Sequence, residues 1–344
     1  MPNTLLDTKT TSDRKKDHLE LTFVSQTLER DTRFYYEPLL SSHPDDNLPR
    51  ITIANKQMKM PLWVSSMTGG TEKASLINHN LAKACNEFGM GMGLGSCRII
   101  LKDNAFFNDF NIRPILGDDL PFFANLGIAQ IEELIESNTT HLADDLVNKL
   151  SADGLIIHVN PFQEWLQPEG DHLKHPPIDT IKRILDKIKS KIIVKEVGQG
   201  MGPKSLIELI KLPIEAIEFG AHGGTNFATL ELHRQDEMRR TQLQPLTTIG
   251  HSAEEMVLYS NQILDELGDK ALCKNLIISG GVKNYLDGYY LMKKSKFNSV
   301  YAQASAFLKY ATGEYLELQN YCKTVKNGLE VCYQYLNLKE INEQ

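Results

Sequence analysis

The sequence has 344 residues, of which 41% are hydrophobic and 24% are charged, a composition typical of a folded protein with a sizeable core. The formal net charge of -7 argues against a nucleic-acid partner, because such proteins carry a basic surplus. No apolar run reaches the roughly 18 residues of a membrane span, and no secretory signal pattern is visible. We therefore expect a cytoplasmic protein without membrane contact.

The first 50 residues do not fit the pattern that follows them. Residues 14–26 run from basic to apolar, and residues 41–49 are rich in turn-forming residues. We assign 1–50 to an N-terminal extension and 51–344 to a single barrel domain. The basic run 14–18 is either a solvated surface or, as a functional interpretation, a clamp for a diphosphate.

Eight short runs with the character of buried strands then recur along the chain. Most are continuously apolar, as strands covered on both faces should be. They are residues 61–67, 90–96, 121–127, 154–160, 191–198, 216–220, 275–281 and 299–304.

Amphipathic segments at 131–138, 178–191 and 253–269 predict helices between these strands, and residues 321–340 predict a closing helix. Repeated strand-helix alternation favours an α/β fold, a closed (β/α)₈ TIM barrel with the extension and the closing helix. The strand ends of such a barrel build its active site.

The common nucleotide motifs are absent. Residues 89–95 read GMGMGLG, in which no register gives G-x-G-x-x-G, and Pro203 interrupts a phosphate-loop pattern at 198–205. Glycine at every second position of a strand leaves one face without side chains. Either tight packing inside a barrel or a flat group against that face explains it. Five scattered cysteines without a C-x-x-C pair predict reduced thiols.

Residues 158–164, HVNPFQE, carry the densest group of polar side chains after a strand. Glu164 with substrate phosphates would suit Mg²⁺, which takes few protein ligands. The alternative is a helix N-cap beside a hydrogen-bonded histidine. Lys195 ends another strand, where it meets either a structural carboxylate or an anionic ligand.

Other strand ends carry hydroxyls, amides or glycine pairs. They are Ser66 to Gly70, Ser96 to Arg98, Asn125, Gly223 to Thr225, and Ser279 to Val282. Glycine turns after the last strands of a barrel commonly bind a cofactor phosphate. Together these segments favour a flavin-type site.

These segments, in this order, resemble the type 2 isopentenyl diphosphate isomerases. The resemblance rests on RKKDHL from residue 14, SMTGG from 66, GLGSCR from 93, HVNPFQE from 158, KEVGQG from 195, GGTN from 223, SGGV from 279 and QASAFL from 303. The RK-x-DH and H-x-N-x-x-QE elements are the most specific. Cys97 and Asn226-Phe227 depart from the family pattern, in which glutamine and Ser-Trp are common.

The resemblance implies an FMN-dependent barrel enzyme that interconverts isopentenyl and dimethylallyl diphosphate, a homotetramer or homo-octamer. It implies these roles: Arg14, Lys15, Ser96, Arg98, Asn160 and Gln163 bind substrate; Ser66, Met67, Thr68, Ser96, Asn125, Lys195, Thr225, Gly280, Gly281, Val282, Ala304 and Ser305 bind FMN; Glu164 binds Mg²⁺; and His158, Gln163 and Lys195 serve catalysis.

The implied chemistry is a 1,3-allylic proton shift in which reduced flavin acts as acid and base, and NADPH or NADH reduces the flavin beforehand. The first alternative is an FMN barrel oxidoreductase acting on a small 2-hydroxy acid, with His222 or His251 as its base. The second is a non-catalytic flavin-binding barrel.

Overall fold

The computed structural model describes residues 17, 20–22, 24–25, 29–66 and 72–339. The strands, in chain order, are β1 (Phe34–Tyr36), β2 (Ile51–Ile53), β3 (Lys56–Met58), β4 (Leu62–Val64), β5 (Gly91–Gly93), β6 (Phe122–Gly127), β7 (Gly154–Val159), β8 (Lys191–Glu196), β9 (Ala216–Glu218), β10 (Asn275–Ile278), β11 (Asn298–Gln303) and β12 (Leu336–Leu338).

The helices are α1 (Glu72–Phe88), α2 (Arg98–Lys102), α3 (Phe107–Phe110), α4 (Arg113–Leu116), α5 (Ile128–Glu136), α6 (His141–Lys149), α7 (Pro161–Leu166), α8 (Pro177–Leu185), α9 (Pro203–Ile210), α10 (Phe227–His233), α11 (Glu237–Thr247), α12 (Ala253–Leu267), α13 (Tyr285–Lys294), α14 (Ser305–Ala311) and α15 (Tyr315–Tyr335). Among the described residues, no helix combines the length and apolarity that a membrane crossing requires.

Strands β4 to β11 form a closed parallel barrel, in which β4 pairs with β11 and β9 pairs with β10. Each of the eight predicted runs overlaps one of these strands, so the predicted (β/α)₈ fold is confirmed. Seven of the barrel strands, β4 to β10, show no exposed residue, which explains why their sequences are largely apolar.

The glycines of β5 make room for a large side chain inside the barrel. A Cβ on Gly91 would lie 2.4 Å from the Trp63 ring, and one on Gly93 would lie 2.4 Å from Ile156 Cδ1. The Trp63 ring packs in turn against Phe123 at 6.0 Å between centroids. Close packing within the barrel therefore accounts for the alternating glycines.

The N-terminal end of the barrel is closed by the β2–β3 hairpin. Ile53 and Met58 are buried with Trp63 and Phe123 in one apolar cluster, and the Ala54 amide donates to Glu215 Oε1 at 2.6 Å. Because this end is filled, a ligand has to enter the barrel from the carboxyl ends of the strands.

The chain termini of the described fold meet in a separate two-stranded sheet. Strand β1 of the extension pairs antiparallel with β12, with Tyr35 opposite Asn337. The closing helix begins at Tyr315, six residues before the predicted start, and ends where β12 begins. The five cysteines are all free and buried, as predicted.

Candidate functional site

A cavity of about 540 Å³ opens at the carboxyl ends of β4, β8, β9, β10 and β11. We name it the glycine-rich cavity; its lining includes the turns Gly223 to Thr225 and Gly280 to Val282. Eight residues predicted to hold a cofactor line it: Ser66, Lys195, Thr225, Gly280, Gly281, Val282, Ala304 and Ser305. Small-ligand sites commonly enclose about 300–1,000 Å³. The cavity is therefore large enough for a nucleotide-sized cofactor.

The glycine turns of this cavity require glycine. Gly223, Gly280 and Gly281 have φ values of +112°, +87° and +71°, which side-chain-bearing residues rarely adopt. A Cβ on Gly280 would lie 2.1 Å from the carbonyl oxygen of Ala221, and one on Gly223 would lie 3.2 Å from Gly281 Cα. The two turns therefore pack directly on each other and present bare backbone, a surface suited to a phosphate.

Lys195 reaches this cavity from the end of β8. Its Nζ donates to the Glu196 carbonyl oxygen at 2.9 Å and lies 3.9 Å from Glu218 Oε1, on the neighbouring strand β9. Both side chains are nearly inaccessible, with 8% and 0% exposure. Burial raises the pKa of Glu218, and the Lys195 charge opposes that increase.

The loop after β8 is held in place by Glu196, the residue that follows Lys195. Glu196 Oε2 accepts from the amides of Gly198, Gln199 and Gly200 at 2.6, 2.7 and 2.8 Å. These bonds fold the chain back at the strand end and hold Gly198, which lines the glycine-rich cavity. Burial raises the pKa of Glu196, and the three amides act against it.

His158, on β7, is connected to the cavity through Asn125 on β6. His158 Nδ1 lies 2.7 Å from Asn125 Oδ1, and Asn125 Nδ2 donates to Ser66 Oγ at 3.1 Å. Burial and the neighbouring Lys195 charge lower the pKa of His158 to about 4. The imidazole is therefore neutral near pH 7, which suits it to binding and not to delivering a proton as a cation.

The segment Asn160–Glu164 forms a connected polar group at the start of α7. Asn160 Nδ2 donates to Gln163 Oε1 at 3.1 Å and to Glu164 Oε1 at 2.9 Å. As the alternative expects, Asn160 occupies the N-cap position and His158 is hydrogen-bonded, but the Asn160 side chain makes no capping hydrogen bond. Its buried Oδ1 has no partner among the described residues. Carboxylate and amide oxygens together give this face the donor atoms that Mg²⁺ prefers.

Gln163 has a partner that the sequence did not indicate. Its Nε2 donates to Glu231 Oε1 at 3.2 Å, and Gln167 Nε2 donates to the same oxygen at 3.0 Å. Glu231 lies on α10, with a 2% exposed side chain, and pairs with Arg234 at 3.1 Å. It belongs to no motif, and only its burial as a charged residue marks it.

Arg98, predicted to bind a diphosphate, is joined to the same face by Asp171. Arg98 Nη1 lies 2.9 Å from Asp171 Oδ2, to which Gln130 Nε2 also donates at 3.1 Å. The Asp171 amide donates to Glu164 Oε2 at 3.0 Å. Asp171 thus links the segments after β5, β6 and β7, and the motifs did not reveal it.

The other predicted site residues either do not line the cavity or lie outside the residues that the structure describes. Ser96 is exposed and its hydroxyl accepts from the Arg98 amide, outside the cavity lining, whereas Asn125 is buried and contacts the cavity-lining Ser66. Arg14, Lys15, Met67 and Thr68 lie outside the described residues.

A second cavity, of about 510 Å³, lies between α8 and α9 and is lined by His251. None of the described residues lining the glycine-rich cavity is a histidine. His222 and His251, the candidate bases of the oxidoreductase alternative, are thus not among the described residues that line this cavity.

Comparison with solved structures finds the same fold. A flavocytochrome b2 variant with bound sulfite aligns with a TM-score of 0.61 and 12% identity over 88% of this chain and 72% of that chain. A mandelate oxidase variant with a monooxide FMN adduct aligns with a TM-score of 0.54 and 11% identity over 89% and 88%. At these identities the similarity concerns the fold alone.

Comparison of the sequence identifies the family, although no protein-family model matches the chain. The isopentenyl-diphosphate delta-isomerase of Rickettsia typhi (strain ATCC VR-144 / Wilmington) is 30% identical over 283 residues, which cover 80% of both chains. That of Rickettsia felis (strain ATCC VR-1525 / URRWXCal2) is 30% identical over 312 residues, covering 87% of this chain and 85% of the relative. The resemblance stated from the motifs is confirmed: the chain belongs to the isopentenyl-diphosphate delta-isomerase family of enzymes.

Proposed function

We propose that this enzyme interconverts isopentenyl and dimethylallyl diphosphate with the help of FMN and Mg²⁺. One observation carries the proposal. The glycine-rich cavity and the Asn160–Glu164 segment lie at the same end of the barrel, next to Lys195 and His158. A flavin-sized cavity beside a carboxylate able to hold a metal diphosphate is what this isomerisation needs.

FMN fits the residues that are present. The glycine turns offer backbone N–H groups where a side chain would collide with the opposite turn, and Ser305 begins helix α14 beside them. The mandelate oxidase variant that shares this fold carries an FMN adduct, which adds support for a flavin in this type of barrel. Gly280, Gly281 and Ser305 would hold the phosphate, and Lys195 would lie at the ring.

When bound, reduced FMN would supply acid and base chemistry for a 1,3-allylic shift, in which one end of the alkene is protonated and the other deprotonated without net redox change. The chain's own residues bind and orient the substrate. Lys195 would provide positive charge beside the flavin, and the Nε2 of neutral His158 would accept one hydrogen bond without adding charge. Gln163, held by Glu231, fixes the position of the alkene.

The diphosphate would bind through Mg²⁺ and the basic residues. Glu164 keeps free lone pairs on both oxygens beyond the two hydrogen bonds it accepts, and the unpartnered Asn160 Oδ1 lies in the same polar group. Arg98 is 51% exposed and its pairing with Asp171 contributes little stability, so an anion can take Asp171's place. Ser96, Arg14 and Lys15 complete the proposed binding set.

The remaining expectations follow from the family resemblance. NADPH or NADH would reduce the flavin before turnover without being consumed stoichiometrically. We also expect a homotetramer or homo-octamer in the cytoplasm.

Turnover of isopentenyl diphosphate by the purified protein with FMN, Mg²⁺ and NADPH, under anaerobic conditions, tests the proposal. We expect dimethylallyl diphosphate only when the flavin is reduced, with NADPH almost unspent. A flavoprotein that leaves the substrate unchanged but oxidises a 2-hydroxy acid with stoichiometric electron transfer would establish the alternative that the fold neighbours suggest.

A further inference from the structure

Glu218 is a carboxylate buried at the site for which the allylic shift has no direct use. Its side chain has 0% exposure and stands at the end of β9, beside Lys195 on β8. A charged group in such a position is costly unless a partner compensates it, so its presence requires an explanation.

The hydrogen bond and the ion pair of the Glu218 side chain both come from residues that line the glycine-rich cavity. The Ser65 hydroxyl donates to Oε1, and Lys195 Nζ lies 3.9 Å from the same oxygen. Ser65, Lys195 and Ser279 line the cavity, and the Ser279 hydroxyl accepts from the Gly220 amide at 2.8 Å. Glu218 is therefore the hidden carboxylate behind one wall of the proposed flavin site.

The second carboxylate oxygen of Glu218 has no partner within the described part of the chain, which makes Lys195 more important to this side chain. Oε2 is buried without a hydrogen-bond partner among the described residues. Burial raises the pKa of Glu218, whereas the Lys195 charge is the largest effect that lowers it. Lys195 is therefore the charged partner of a buried carboxyl group that has one unsatisfied oxygen.

We propose that Glu218 is a positioning residue for Lys195, which fixes the ammonium at the flavin site and partly cancels its positive potential. This inference rests on the proposed FMN function. Reduced FMN is the more negative form of the cofactor. A more positive potential at the flavin ring therefore makes the cavity bind reduced FMN more tightly relative to oxidised FMN. Glu218 thus sets how strongly the site prefers the reduced flavin that isomerisation requires.

The test is the ratio of affinities for reduced and oxidised FMN, measured as the midpoint potential of the bound flavin. In Glu218→Gln, which keeps the shape and the acceptor oxygen, we expect the ratio to rise about tenfold, equivalent to about 30 mV for a two-electron couple. Lys195→Met should shift the ratio in the opposite direction, and the double variant should lose the effect of Glu218→Gln. An unchanged potential in Glu218→Gln would overturn the proposal.

Glu215 provides the matched control, since it precedes the same strand at the opposite end of the barrel and pairs with Lys191 at 3.2 Å. Glu215→Gln removes the same charge about 10 Å away along the strand and should change the potential much less. An equal shift would show a general charge effect and contradict a positioning role.

A failure to bind FMN would refute the proposed function and leave the pairing of Glu218 with Lys195 to be tested separately. A second measurement tests that pairing without FMN. The unfolding free energies of the protein, Glu218→Gln, Lys195→Met and the double variant form a thermodynamic cycle. We expect clear non-additivity, because removing one member leaves the other buried without its partner. Additive effects would rule out the pairing of Glu218 with Lys195.

Discussion

Asn125 determines which nitrogen of His158 carries the proton. Asn125 Nδ2 donates to the Leu94 carbonyl oxygen at 2.9 Å and to Ser66 Oγ, so its Oδ1 faces His158 Nδ1 at 2.7 Å as an acceptor. Nδ1 is therefore the protonated nitrogen of a neutral imidazole, and Nε2 is left as the acceptor.

The His158 titration should show this directly. Because burial and the Lys195 charge lower its pKa to about 4, the ring signals should stay those of the neutral form at pH 6 in an NMR titration. In the unfolded chain histidine titrates near 6.5, so His158 should reduce stability as pH falls from about 6.5 to 4. A His158→Gln variant should lose that part of the decline, and a normal titration of His158 would contradict the assignment.

Glu164→Gln should weaken Mg²⁺ binding by roughly 10–100-fold, because the amide cannot supply the carboxylate charge. The Mg²⁺ dependence of turnover measures this effect. Glu169→Gln, five residues along the chain and exposed, is the control and should behave as the unchanged protein. Equal Mg²⁺ dependence in the two variants would argue against a metal at Glu164.

Gly281→Ala should reduce FMN affinity beyond its effect on folding. Gly281 has φ +71°, and a Cβ there would lie 3.0 Å from the His222 carbonyl oxygen. Gly268→Ala is the control, since Gly268 has φ +52° but an added Cβ meets nothing within 4 Å. Both substitutions impose about 1–2 kcal/mol of left-handed backbone strain. FMN titration combined with thermal unfolding separates the effects, and an equal FMN affinity in both variants would exclude the turn as a phosphate cradle.

Glu231→Gln should lower kcat by roughly 10–100-fold with a smaller effect on KM, because Gln163 loses the carboxylate that orients it. Steady-state kinetics provide the kcat and KM values. Glu237→Gln, an exposed glutamate in the first turn of α11, is the control. A change in KM alone would show that Glu231 affects binding and does not position Gln163 for the chemical step.

The sequence was sufficient to predict the barrel, because each strand is buried and its apolar run stands out from the amphipathic helices around it. The predicted runs extend past the strands by a few residues, as at 90–96 around the three-residue β5. Those extra residues belong to the mouth of the barrel. Much of the lining of the glycine-rich cavity was also predictable, since glycine pairs and hydroxyls follow the strands in order.

The partners of those residues were not predictable from the motifs. Glu218 is adjacent to Lys195 only because β8 and β9 pair in that register, and Arg98 meets Asp171 across 73 residues of sequence. The pairing of β1 with β12 joins residues some three hundred positions apart without any local pattern. Such contacts depend on barrel closure, which neither periodicity nor propensity encodes.

The β1–β12 pairing also sets an order of assembly during synthesis. Strand β1 is made early, yet the ribosome must pass Leu338 and release that segment before Phe34 can find its partner. Until then the extension before the barrel has no sheet to join, whereas the barrel strands can already begin to associate. Strand β1 therefore acquires its partner only near the end of synthesis, and a premature stop within α15 would leave β1 unpaired even with every barrel strand present.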